Sequence, residues 1–182
     1  SSHRIRKITP EGLVSTLAGT GEEGHRDGEG TVAKFIEPFG IAVDWEGNVF
    51  VADSGNHRIR KITREGHVST LAGTGEEGHR DGEGTVAQFN QPCGIAVDGD
   101  GNIIVADCCN HRIRMITPQR HVSTLAGTGG VQHQDGDRVA LAQFKYPCRV
   151  AVDENGNVIV ADSENHCIRC VTSDAVTPLG FR

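Results

Sequence analysis

The sequence predicts an all-β chain built from one repeated unit of short antiparallel strands, and three observations predict it. His3-Arg-Ile-Arg-Lys-Ile-Thr9 returns at His57–Thr63 and, in altered form, at His111–Thr117 and His166–Thr172, at intervals of 54, 54 and 55 residues. Residues 3–56 and 57–110 differ at only 12 of 54 positions, and a period of that size marks a solenoid, a propeller or an array. Twenty-four glycines among 182 residues, with only 4% aromatics, describe a core of Val, Ile, Ala and Leu cut by many tight turns.

Each copy resolves into four β segments. Pro38–Asp44 is the first, and its Ile41-Ala-Val43 stretch is apolar without alternation, as in a strand covered on both faces. A turn follows: Asp-x-x-Gly-Asn recurs at Asp44–Asn48, Asp98–Asn102 and Asp153–Asn157, with Gly and Asn supplying the positive φ such turns need. Val49–Ala52 is the second segment, and the loop Asp53–Asn56 leads to the third, His57–Thr63. After the polar turn Arg64–Gly66 comes the fourth, Val68–Ala72. Four-stranded units stacked face to face around an axis are the blades of a β-propeller. In this register residues 1–182 form one propeller segment: a half blade over residues 3–18, then blades over 35–72, 89–126 and 144–180. Pro178 in the last, degenerate strand suits an edge. Rings usually close with about four to eight blades, so further blades in a longer protein, or self-association through open ends, are expected. The opening Ser1-Ser2 runs straight into repeat sequence, as in an excerpt from a longer chain.

Net charge is −6, so no overall basic field holds nucleic acid. No apolar run approaches the roughly 18 residues of a membrane helix, and no membrane insertion is expected. Six cysteines all lie in the second half, at Cys93, Cys108, Cys109, Cys148, Cys167 and Cys170. Only the Cys93 position recurs as cysteine, at Cys148, whereas a disulfide framework belonging to the repeat would recur in pairs. Cys167 and Cys170, three apart in a strand, point to opposite faces and make a poor zinc or redox pair. Unpaired thiols favour a reducing, intracellular setting; beyond that the compartment is not read.

The string Pro-x-Gly-Ile-Ala-Val-Asp-x-x-Gly-Asn-Val-x-Val-Ala-Asp-x-x-Asn-His-Arg-Ile-Arg-Lys-Ile stands at Pro38–Ile62 and, with small changes, at Pro92–Ile116. It resembles the NHL repeat, a β-propeller family. The third copy, Pro147–Val171, departs more, with Arg149 for Gly94, Cys167 for Arg112 and Cys170 for Met115. The resemblance covers nearly the whole chain and is specific for fold; for function it is weak, because one fold hosts many activities.

The long connection Gly19–Phe35 recurs at Gly73–Phe89 and, more loosely, from Gly127 to Phe144. Connections of this length without structure of their own are usually functional or flexible. They should emerge with the loops Asp53–Asn56, Asp107–Asn110 and Asp162–Asn165 on the face that resembles the family's ligand face. The candidate partner-binding residues are therefore His25, Arg26 and Asp27; His79, Arg80 and Asp81; His133 and Asp135; and Asp53, Asn56, Asp107, Asn110, Asp162 and Asn165. Gly-Thr-Gly-x-x-Gly lacks the following helix of a dinucleotide site and reads as a turn. Asp98–Asn102 lacks the spacing of a calcium loop and reads as a hairpin. The arginines Arg58, Arg60, Arg112 and Arg114 offer RNA a basic stripe, as in some members of the family. Acidic loops and the lack of stacking aromatics oppose that, and pairing between blades with Asp53 and Asp107 explains the arginines better.

Near-identical repeats argue against a catalytic centre, which needs different residues in different roles. No catalytic residue and no cofactor is expected, and the leading reading is a binding module for a protein or peptide. Related propellers include enzymes with a metal on the axis. By that resemblance His57, His111 and His166 are the alternative ligands of a metal-dependent hydrolase or lyase.

Overall fold

The computed structural model describes residues 2–131, 141–173 and 175–179. Strands β1 (Ile5–Ile8) and β2 (Val14–Ala18) form a two-stranded sheet. Next come β3 (Gly28–Glu29), β4 (Pro38–Val43), β5 (Val49–Asp53), β6 (Arg58–Ile62) and β7 (His67–Ala72), in the sheet order β3-β7-β6-β5-β4. The same arrangement repeats as β8 (Gly82–Glu83), β9 (Pro92–Val97), β10 (Ile103–Asp107), β11 (Arg112–Ile116) and β12 (His121–Ala126). A four-stranded sheet of β13 (Pro147–Val152), β14 (Val158–Asp162), β15 (Cys167–Val171) and β16 (Val176–Pro178) ends the chain, with Pro178 on its edge strand. These are antiparallel propeller blades, and the innermost strands β4, β9 and β13 lie side by side.

The core lies between blades rather than within one. Alternation along each strand sends successive side chains to opposite faces. Val51, Ile62 and Val68 therefore pack back against Ile5 and Ala18 of the half blade. Phe50, Ala52, Ile59 and Ala72 pack forward onto Ile95, Val105 and Ile116, and the second blade repeats this onto Val158, Val160 and Val171. Each fully buried Val or Ile contributes about 1.5–3 kcal/mol, so stability is a sum over blade-to-blade interfaces.

The turns are locked as the repeat implies. Asp44 accepts hydrogen bonds from the Asn48 amide and side chain, both at 2.8 Å. Asp98 with Asn102 and Asp153 with Asn157 repeat the clamp, which makes the Asp98 loop a hairpin turn.

Two expectations are corrected. The long connection has structure of its own: β3 and β8 add a fifth strand to the outer edge, pairing Gly28 with Val68 and Gly82 with Val122. Gly30 then donates to Gly66 O, and Ala33 and Phe35 run inward as buried anchors. Ile41 and Val43 are not covered on both faces but stand 52% and 60% exposed. The half blade before them has, among the described residues, no inner strands to cover them.

Candidate functional site

The repeated loop face is organised around one buried arginine per blade. Arg60 on β6 is fully buried and spends its guanidinium on two carboxylates, two carbonyls and one ring. Its Nη1 donates to Asp53 Oδ2 at 2.6 Å and to Lys34 O at 3.0 Å. Its Nη2 donates to Asp27 Oδ1 at 2.6 Å and to Arg26 O at 2.8 Å, and Phe35 lies 5.0 Å beneath it. Arg114 repeats every contact with Asp107, Gln88, Asp81, Arg80 and Phe89. In the third blade Arg169 keeps Asp162 at 3.1 Å, Gln143 O and Phe144.

Each motif aspartate also fixes the chain around it. Asp53 accepts from the Ile36 amide and from Asn56 Nδ2, Asp107 from Asn90 and Asn110, and Asp162 from Lys145 and Asn165. The pairing is thus within a blade, Asp53 with Arg60 and Asp107 with Arg114, and not between blades as expected. Adjacent β5 and β6 set Asp53 opposite Arg58 in register, which brings Arg60 within reach on the same face.

The long loop is strapped down by the same guanidinium. Asp27 takes Arg60 on one side and the Thr70 amide and hydroxyl on the other, and His25 Nε2 lies 2.9 Å from that hydroxyl. His79, Asp81 and Thr124 do the same one blade on. His25, Arg26, His79 and Arg80 remain exposed. His133 and Asp135 lie outside the described residues.

Half of the basic stripe is withdrawn from the surface, and the other half is partly exposed. Arg60 and Arg114 are enclosed, and Arg58 and Arg112 fold back to donate to the Thr74 and Thr128 carbonyls. The glycine-rich turn makes room for them: a Cβ on Gly75 would stand 2.2 Å from the Arg58 guanidinium. His57, His111 and His166 take the left-handed conformation, with φ of 54°, 56° and 54°. His57 Nδ1 accepts from the Gln91 amide at 3.1 Å and His111 Nδ1 from Tyr146 at 3.1 Å, so they hinge one blade to the next. Among the described residues no three His, Cys, Asp or Glu side chains gather so as to hold a metal ion.

The conserved spacing of this network within the chain meets a known family. A family model for the NHL repeat matches residues 35–62, 89–114 and 144–171, the stretches that carry Phe35 with Asp53 and Arg60, Phe89 with Asp107 and Arg114, and Phe144 with Asp162 and Arg169. The chain belongs to the NHL-repeat β-propeller family. NHL repeat-containing protein 2 of Bos taurus is 31% identical over 182 residues, with 92% of this chain and 25% of that protein covered. A probable peptidyl-alpha-hydroxyglycine alpha-amidating lyase of Caenorhabditis elegans is 28% identical over 154 residues, covering 81% of this chain and 41% of that protein. A crystal structure of a protein of unknown function from Bacteroides thetaiotaomicron superposes with a TM-score of 0.78 at 23% identity, over 97% of this chain and 43% of that one. The chain spans about a quarter of the length of the curated NHL relatives it matches.

Sequence reasoning missed three members of the NHL network: the phenylalanine under each buried arginine, the threonine behind Asp27 and Asp81, and the residues whose amides reach His57 and His111. Phe35, Phe89 and Phe144, like Thr70 and Thr124, recur at the repeat period, which is the signal that would have found them.

Protonation follows the geometry. Burial pulls the Asp27 and Asp81 carboxyls upward, yet the hydrogen bonds and charges of Arg60 and Arg114, with the threonine donors, carry both below the usual carboxylate range. Burial dominates at Asp53 and Asp107 and raises them. Burial, then the arginine charges, lowers the His25 and His79 imidazoles. A carboxyl lowered on folding adds stability that is present above its unfolded value near pH 4 and is lost as pH falls through the folded value. Asp27→Asn with Asp81→Asn should therefore melt below wild type at neutral pH, by at most about 1 kcal/mol per half-exposed pair. That gap should close in melting curves recorded on acidification to about pH 2; a gap constant across the range would contradict it.

Proposed function

We propose that the chain is a binding module that presents its inter-blade loops to a protein or peptide partner. One observation carries the reading. The tips Glu22–Arg26 and Glu76–Arg80 repeat the same exposed charges on successive blades, each strapped to its blade through Arg60 or Arg114. A charged loop held in one conformation loses little freedom when it binds, which is how preorganised surfaces gain affinity. Two equivalent tips on neighbouring blades also suit an extended ligand that contacts both.

Deleting the loop is a poor test, because residues 28–35 carry a strand and two core anchors. Reversing the exposed charges with Arg26→Glu and Arg80→Glu leaves those intact. Peptides selected on the wild-type chain should bind the double variant at least tenfold more weakly, the loss of about 1.4 kcal/mol, with an unchanged β-sheet circular dichroism spectrum. Equal binding would overturn the reading. Likeness to the C. elegans lyase supports a second one, and turnover of a peptidyl-α-hydroxyglycine by the chain would replace binding with catalysis.

A further inference from the structure

Aromatic rings in this protein are rarely left bare. Each of the five phenylalanines among the described residues carries a cation. Arg60, Arg114 and Arg169 lie over Phe35, Phe89 and Phe144, Arg149 over Phe39, and Lys61 over Phe50 at 5.7 Å. Tyr146 meets the His111 ring edge-on. Trp45, the one tryptophan of the chain, has neither kind of contact among the described residues and stands 85% exposed. Indole is the strongest cation acceptor of the aromatic side chains, so the best ring for a cation is the one that has none.

Its surroundings favour the same charge. Trp45 sits in the turn between β4 and β5, at the end of the blade opposite the Asp53–Asn56 loop. With Glu46 and Leu71 of the first blade and Asp100, Ile103 and Pro118 of the second, it lines an open groove of about 250 Å³. Pockets for drug-sized molecules run to about 300–1,000 Å³, so this groove suits one long side chain. Asp44, also on its wall, is spent on Asn48. Glu46 gives only Oε2 to Asn48, at 3.1 Å. The Asp100 amide donates to Asp98, but its carboxylate accepts no hydrogen bond among the described residues. Lys61 is the one cation among the described residues lining the groove, and it lies over Phe50. The repeat has changed here: Trp45, Glu46, Val49 and Phe50 are four of the 12 positions at which the first two copies differ, and the second blade has Gly99 in place of the indole. A ring present on one blade alone is not required by the fold.

We propose that this groove is a second binding site, on the face opposite the long loops, for an arginine side chain of a peptide or protein partner. A planar guanidinium stacked on the Trp45 indole keeps its N–H groups free in its own plane, where the carboxylates of Glu46 and Asp100 accept them. Lysine fits less well, because a compact ammonium cannot lie flat on the ring and fork toward two carboxylates. The protein already uses this arrangement internally: Arg60 rests on Phe35 while it donates to Asp27 and Asp53. The groove is separate from the loop tips, and occupation of one face does not require the other.

Because Trp45 is the only tryptophan, its fluorescence reports on this groove alone. Titrating the full chain at low salt with acetyl-Gly-Arg-Gly-amide should change that emission to saturation. The citrulline peptide, which has the same shape without the charge, should bind roughly fivefold more weakly. Glu46→Gln with Asp100→Asn should weaken the arginine peptide roughly threefold. Trp45→Gly, which installs the residue of the second blade, should lose it in equilibrium dialysis while keeping the β-sheet circular dichroism spectrum. Arg26→Glu with Arg80→Glu should leave the titration unchanged, so failure here is distinct from failure at the loop face. An emission unmoved by the arginine peptide, an equal response to the citrulline or lysine peptide, or full binding by Trp45→Gly would overturn the proposal.

Discussion

Arg114→Met is expected to lower the stability of the folded chain by about 3–5 kcal/mol, the usual result of removing one partner from a buried ion pair. The guanidinium makes four hydrogen bonds, two to carboxylates and two to carbonyls, and rests on Phe89. Methionine fills the volume and keeps contact with the ring, but it leaves the buried Asp107 charge facing no cation. It also strands Arg80 O and Gln88 O, so the strap on the long loop fails together with the core of the blade. Arg114→Lys should recover little, because an ammonium is a compact charge that cannot reach four acceptors in the planar fork. Asp107→Asn alone keeps an acceptor for the Asn90 amide but leaves Arg114 short of a charge. The double variant Arg114→Met, Asp107→Asn should cost less than the sum of the two singles, which a double-mutant cycle in urea denaturation reads directly. Additive losses would mean that the pair is not coupled.

Much of the fold was legible because the repeat states it three times. Asp44–Asn48 announced a turn through residues that can only serve one, and the Asp–Asn clamp shows why both ends of the motif recur. The all-β reading and the family came from the same strings. What escaped notice was structure carried by the backbone alone. Gly28 and Glu29 have no β-propensity, yet they pair with Val68 and His67 because the loop must cross the open outer edge of the blade, where free N–H and C=O groups wait. The partner of Arg60 was read as lying across the blade boundary, since spacing along one chain does not say which face of a twisted sheet a long side chain takes. The exposure of Ile41 and Val43 depends on which strands stand opposite, and no local pattern encodes that. For the candidate site, the repetition of His25, Asp27 and Asp53 pointed to the loop face, but the same pattern fits contacts inside a blade and contacts with a partner. Only coordinates separate Asp27, spent on Arg60, from Arg26, whose side chain is exposed.

Gly40→Ala is expected to separate the first two blades at their inner strands. A Cβ at Gly40 would stand 2.0 Å from Cys93 O and 3.1 Å from Cys93 C, all backbone of the neighbouring strand, which cannot rotate aside. Gly94 meets the next blade in the same way, 2.7 Å from both Arg149 Cα and Cys148 O. These two glycines therefore set how closely β4, β9 and β13 approach, and that spacing governs the packing of Ile59 and Ala72 against Ile95 and Val105. The third copy has Arg149 at this position, where it is exposed and turns its guanidinium onto Phe39. Overpacking of this kind costs about 1–3 kcal/mol and occasionally more, and the closer contact at Gly40 should make it the costlier site. Gly99→Ala supplies the control, because nothing lies within 4 Å of its Cβ position; it should stay within about 0.5 kcal/mol of wild type. Hydrogen exchange should locate the damage, with faster exchange at Ile95–Val97 and along β4 while the outer β12 keeps its protection. If Gly40→Ala and Gly99→Ala melt together, the inner strands are further apart than described and the blades are held by their outer halves alone.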